Sequence, residues 1–342
     1  MRRRSFCFWV GVFGLGLMGC HSTSTTVLKR FEFSQPQMGL PFRIVLYAGT
    51  ESMARSASDA AFARIAELNA VFSDYDSDSE LSRLSQTSGN HQAVPVSREL
   101  WEVLRESQRL AEESEGAFDI TVGPIVNLWR KARREKRLPR GDLFEDARSR
   151  VGYRHIVLNR KARTVELTAP NMRLDLGAIA KGYAIDEAVR VLRAQGVSRA
   201  LVSGGGDMAA GSPPPERNGW RIEIAPLDVS NAPSARFVLL AHRGLATSGD
   251  VFQRLDLEGK RYSHIVDPRT GLGLTDHSLV TVIAADCTTA DSLATAISVL
   301  GPVKGMALLA RRRGAAAHIV RSPGSEIEST ESPTFRRFDD RP

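Results

Sequence analysis

Residues 41–48, PFRIVLYA, are apolar and β-rich enough to predict a strand, and residues 54–72 repeat apolar side chains at helical spacing, with Ala61, Ile65, Leu68 and Phe72 on one face. SDYDSDSELSRLSQ then reads as a turn-rich loop entering a short helix. A second helix is expected over 99–113, with Ser97 as its cap and Gly116 as its stop. RHIVLNRKARTVEL has the pattern of a hairpin turning at 159–162. Further on, residues 179–192 predict a helix, and SRALVSGGGDM predicts a strand running into a glycine-rich turn. Strands are expected at 220–225, 236–241, 262–266 and 278–284, helices at 289–300 and 303–311, and a closing strand at 316–320. The elements mix without a regular βαβ alternation, which favours a layered α+β fold. No repeat or compositional break divides the body, expected to run over 31–321. From Ser322 onward the chain is rich in Ser, Pro, Glu and Arg, and disorder is expected for 322–342.

The N-terminus follows a different pattern. Arg2, Arg3 and Arg4 precede an apolar run shorter than a bilayer span, ending in Leu17-Met18-Gly19-Cys20. This predicts a lipoprotein signal peptide over 1–19, a lipidated Cys20, a polar tether over 20–30, and an exported protein held on the periplasmic side of a bacterial membrane. Losing the three leader arginines would take the formal net charge from +7 to +4. So mild a charge gives no warrant for a nucleic-acid partner. RKARREKRLPR (130–140) is a local basic cluster of the kind usually found on solvated faces. Cys7 and Cys20 fall in or beside the leader, so Cys287 alone remains in the body, which excludes an intramolecular disulfide framework.

Candidate chemistry gathers at strand ends and loops. Asp291 and Thr295 lie four apart in TTADSLATAISVL, so both project from one helix face. Their oxygens suit a hard cation such as Mg²⁺, although on spacing alone a helix-start acid and a back-bonding threonine are the better account. Asp175, Lys181, Asp207, Asp250, His264 and Asp267 also fall where predicted strands end or loops begin. The triple glycine of SGGGDM permits positive φ and close backbone approach, but the chain has neither a P-loop order nor a G-x-G-x-x-G opening a helix.

Eight segments in order, MGLPFRI, FSDYDSDSELSRL, GAFDITVGPIVNLW, LDLGAIAKGYAID, LVSGGGDM, LATSGDVF, SHIVDPRTG and TTADSLATAISVLG, resemble the ApbE family, the FAD:protein FMN transferases. The resemblance implies an α+β, T-fold-related fold of layered mixed and antiparallel sheets with packed helices. It also implies Mg²⁺-dependent transfer of FMN from FAD to a Thr or Ser hydroxyl of an acceptor protein, with release of AMP. By that similarity FAD would be contacted by Met38, Tyr75, Ala117, Phe118, Asp119, Asp175 and Lys181, with Val266 near the reacting end. Mg²⁺ would be held by Asp291, Thr295 and the carbonyl of Ala178. His264 is then the candidate base, with Asp250 orienting it or sharing the task. The implied acceptors are exported or membrane redox proteins such as Nqr- or Rnf-type subunits. Ile120 stands where the family often has proline, and asparagine is usual near Ser85; neither departure removes a catalytic group. An FAD pyrophosphatase and a non-catalytic FAD-binding lipoprotein stay open as alternatives.

Overall fold

The computed structural model describes residues 27–229, 236–250, 254–257, 259–324 and 326–340. The expected signal peptide and Cys20 lie outside them. Among the described residues, eight strands form the main sheet, and their order across the sheet is their order along the chain: Lys29–Gln37, Leu40–Ala48, Ala200–Gly204, Asp207–Ala210, Arg243–Gly249, His277–Ala284, Ala316–Ser322 and Glu328–Glu331. Every neighbouring pair is antiparallel.

Two hairpin tips meet at one end of this sheet. Gln37 pairs with Leu40 around Met38 and Gly39, and Gly204 pairs with Asp207 around Gly205 and Gly206. All four central residues have positive φ, the backbone that a two-residue hairpin turn of the right twist requires. The triple glycine is therefore a hairpin turn whose tip packs beside Leu40 of the first hairpin.

Three helices cover one face of the sheet: Glu51–Phe72, Ala180–Ala194 and Cys287–Ala310. Their small residues permit tight packing. A Cβ on Gly182 would strike the Cys287 carbonyl oxygen and lie 2.7 Å from its carbon and 2.9 Å from Thr288 Cα, so the second and third helices touch backbone to backbone. Asp186 fastens this contact, accepting from the amides of Cys287 (2.9 Å) and Thr288 (2.8 Å) at the start of the third helix. That helix is broken at Gly301, which has φ 73° and precedes Pro302, as its two-part sequence pattern anticipates. The opposite face of the sheet is covered by a hairpin, Trp220–Ile224 with Arg236–Leu240, and by Phe335.

Three expectations are corrected. Order begins before Phe31, because Lys29 and Arg30 already pair with Ala48 and Tyr47. The strand expected over 262–266 spans Lys260–Ser263, leaving His264 in the loop that follows. The C-terminal segment is built into the fold: Glu328–Glu331 is the last strand of the sheet, and the Phe335 ring is completely buried. Its polar composition hid one apolar anchor and a set of ion pairs from Arg236 to Glu331 and Asp339.

Candidate functional site

The site lies where the two hairpin tips, the start of Ala180–Ala194 and the first turns of Cys287–Ala310 converge. Lys181 is at its centre. Its Nζ donates to both oxygens of Asp291 (3.1 and 3.2 Å) and to the Gly177 carbonyl (3.3 Å), and it lies 2.9 Å from Asp207 Oδ2. Its aliphatic stem runs against Gly205. Burial alone would disfavour the ammonium, but Asp207 and Asp291 outweigh it and hold the lysine above its usual pKa. The balance is uneven, since two buried carboxylates share one lysine. Burial and then the Asp291 charge push Asp207 up to about 7 against the pull of Lys181.

The local backbone leaves one acceptor open beside these acids. A regular helix would direct the Gly182 N–H to the Ala178 carbonyl, yet it donates to Asp291 Oδ2 at 3.1 Å. Asp291 is thereby fixed in orientation, and the Ala178 carbonyl stays outside the helical ladder. One turn further along the same helix, the Thr295 hydroxyl meets Ser248 Oγ at 3.2 Å, at the end of the strand Arg243–Gly249. Asp291, Thr295 and the Ala178 carbonyl thus offer oxygen only, which fits a hard divalent cation, and the surplus negative charge of the Asp207–Asp291–Lys181 group fits it again. Among the described residues, no three His, Cys, Asp or Glu side chains gather as metal ligands, which sets the group apart from a zinc-type cage.

A second group of charges flanks the first. Asp175 accepts from the Gly177 amide (2.8 Å), shaping the turn before Lys181, and pairs with Arg130 Nη2 at 2.9 Å. Arg130 also pairs with Asp74 and lies over the Tyr75 ring, 4.3 Å from its centroid. Tyr75 is otherwise exposed, at 79%. Burial first, then the neighbouring Asp74 charge, raises the Asp175 carboxyl above its ordinary value.

The remaining expected residues are distributed unevenly. Met38 is half-buried at the first hairpin tip with φ 50°, a conformation a non-glycine side chain seldom adopts without reason. Ala117 and Phe118 are buried. The Asp119 side chain is committed internally: it accepts from Thr121 Oγ1 (2.7 Å), the Thr121 amide (2.8 Å) and the Tyr153 amide (2.8 Å), so it pins a loop. Val266 is buried against Ile125 and Trp129, and Trp129 Nε1 donates to the Gly271 carbonyl at 2.9 Å. The His264 loop is thereby fastened to the helix Gly123–Glu135 that carries Arg130.

Asp250 directly follows the strand Arg243–Gly249. It is almost fully buried, and its carboxylate meets His277 Nδ1 (2.7 Å) and Arg261 Nη1 (3.3 Å). It therefore anchors the hairpin Arg254–Leu257 and Lys260–Ser263 that leads into His264, at the base of that loop. Sequence reasoning missed Arg130, Asp74, His277 and Ser248. Arg130 was hidden inside a basic run, although its position next to Trp129 on an amphipathic helix marks it as the inward end of that run.

Comparison with known proteins gives a consistent family. The model of the ApbE family matches residues 38–319. A curated FAD:protein FMN transferase of Klebsiella pneumoniae is 32% identical over 332 residues, 94% of each chain. One from Escherichia coli K12 is 34% identical over 275 residues, covering 78% of this chain and 77% of its own. Among solved structures, the flavin transferase ApbE of Vibrio cholerae superposes with a TM-score of 0.82 at 29% identity, over 91% of this chain and all of that one.

Proposed function

From the premise that this chain belongs to the ApbE family, we propose that it transfers the FMN moiety of FAD to a Thr or Ser hydroxyl of an acceptor protein and releases AMP. The observation that carries this reading is the Asp207–Lys181–Asp291 group beside the open Ala178 carbonyl, a cation-binding arrangement at the mouth formed by two hairpin tips.

Asp291, Thr295 and the Ala178 carbonyl would hold Mg²⁺. When bound, Mg²⁺ supplies Lewis-acid neutralisation of the diphosphate charge that grows as the bond to AMP breaks. The protein's own residues do the rest. Lys181 is fully charged and rigidly held, so it presents a fixed positive charge to the phosphates with little reorganisation. Met38 and the exposed Tyr75 offer surfaces for the flavin and adenine rings, with the buried segment 117–119 backing the wall and the Asp119 side chain holding that segment's backbone in shape. Asp175 orders the turn from which Ala178 and Lys181 project. His264 accepts the acceptor's hydroxyl proton on an imidazole nitrogen as the oxygen attacks the FMN phosphorus, and AMP departs. Asp250 supports this step from below, through the hairpin that carries His264.

The same reading includes the N-terminal half of the protein's biology. A leader over 1–19, cleaved before Cys20, supports lipidation of that cysteine, membrane attachment and export, and exported or membrane redox subunits of Nqr or Rnf type as acceptors. The test is incubation with FAD, Mg²⁺ and a polypeptide bearing a candidate acceptor threonine. Flavin bound covalently to that threonine with equimolar AMP supports transfer; AMP and free FMN without labelling assigns hydrolysis.

A further inference from the structure

The helix Gly123–Glu135 sends two arginines, one turn apart, toward the Tyr75 side of the site, and their situations differ. Arg130 is saturated by Asp74 and Asp175. Arg133 has no carboxylate partner among the described residues, and its Nη1 is buried with no hydrogen-bond acceptor. Its neighbours elsewhere in the basic run are satisfied or wet: Lys131 and Arg137 pair with Glu135, Arg140 pairs with Asp142, and Arg134 is exposed. The groups that face Arg133 are the Arg130 guanidinium and Tyr75; together with burial, which contributes most, Arg130 pushes the Arg133 guanidinium below its ordinary value.

Arg173 repeats the pattern across the same cluster. It donates to the Asp74 carbonyl and lies 3.8 Å from the Asp74 carboxylate, while its Nε is buried without a partner. Arg130 and Arg173 thus take up the two carboxylates, Arg133 stands beside Arg130 with none of its own, and the buried nitrogens left over belong to Arg133 and Arg173. A desolvated guanidinium lacking an acceptor is costly, and an oxyanion with several lone pairs removes that cost.

We propose that Arg133 is an anion-binding residue that receives a phosphate oxygen of the FAD diphosphate, so that this face of the site selects the charged dinucleotide over an uncharged flavin. The inference rests on the transferase reading above, and it adds a residue that the resemblance to the family does not assign. Arg130, already neutralised by Asp74 and Asp175 and stacked on Tyr75, leaves the incoming anion to Arg133.

The experiment is a set of equilibrium titrations of wild type, Arg133→Gln and Arg133→Lys with FAD, ADP and riboflavin, with thermal melts to confirm that each variant is folded. Loss of one charge-assisted contact should weaken FAD and ADP by about tenfold or more in Arg133→Gln, with partial recovery in Arg133→Lys and no change for riboflavin. Unchanged FAD affinity in Arg133→Gln, or an equal loss for all three ligands, would overturn the inference while leaving the transferase reading standing. A wild-type protein that binds neither FAD nor ADP would remove both.

Discussion

Gly182 joins the fold to the chemistry, and adding a single methyl group there is a sharp perturbation. A Cβ at this position would sit 2.7 Å from the Cys287 carbonyl carbon and 2.9 Å from Thr288 Cα, against ordinary contact at 3.4–4 Å. These are backbone atoms at the capped start of a helix, held by Asp186, so no side chain can swing aside. The two helices would have to separate by roughly half an ångström to one ångström. Overpacking of this kind costs about 1–3 kcal/mol, while replacing glycine by alanine in a helix returns about 1 kcal/mol. Gly182→Ala should therefore be destabilised by up to about 2 kcal/mol, lowering the melting temperature by a few degrees. The separation also draws the Gly182 amide away from Asp291 and loosens the Lys181 pair. A displacement near 1 Å at reacting groups costs about a hundredfold in rate. Thermal and denaturant melts, with AMP release from FAD, measure both effects. A variant as stable as wild type with unchanged AMP release would refute the close-packing argument.

Other outcomes follow from the same geometry. Asp291→Ala should lose Mg²⁺-dependent AMP release by at least about a hundredfold while keeping its fold, because Lys181 retains Asp207; unchanged release in a metal titration would contradict the ligand assignment. His264→Asn should bind FAD with near wild-type affinity but transfer slowly, so a titration showing equal loss of binding would count against a base. Phe335→Ala should cost about 3–5 kcal/mol in urea unfolding, because the ring is fully buried, whereas a free tail would give no change. Burial raises the Asp186 pKa from 3.8 to about 6, so the folded protein holds that proton more tightly than the unfolded chain. Stability relative to Asp186→Asn should fall by up to about 3 kcal/mol as pH rises from about 4 through 6 and then level off; a rise in that window would reverse the sign.

Periodicity was informative where packing is one-sided. The helix over 54–72, the helix over 179–192 and the break between 300 and 303 were all legible, because each buries one apolar stripe or is punctuated by Gly and Pro. The strand Lys29–Gln37 was not, since it is an edge strand whose exposed positions carry Lys, Glu, Ser and Pro. The C-terminal strand escaped notice for the same reason, with the sequence ESTE at the other edge. In the site, helical spacing singled out Asp291 and Thr295, and strand ends singled out Lys181 and Asp207. What spacing does not encode is who pairs with whom between distant elements, from 27 residues apart for Asp250 and His277 to 110 for Lys181 and Asp291. The Lys181–Asp291 contact, the Asp250–His277 contact and the Arg130 bridge from Asp74 to Asp175 exist only once the sheet order is set.

The most direct test of the account is a single incubation of the full-length protein with FAD, Mg²⁺ and a threonine-bearing acceptor, followed by mass spectrometry of the acceptor and quantification of AMP. The account predicts one covalently attached FMN for each AMP released, with both products lost in Asp291→Ala. Intact FAD with wild type, or AMP formed in equal amount by Asp291→Ala, would contradict it.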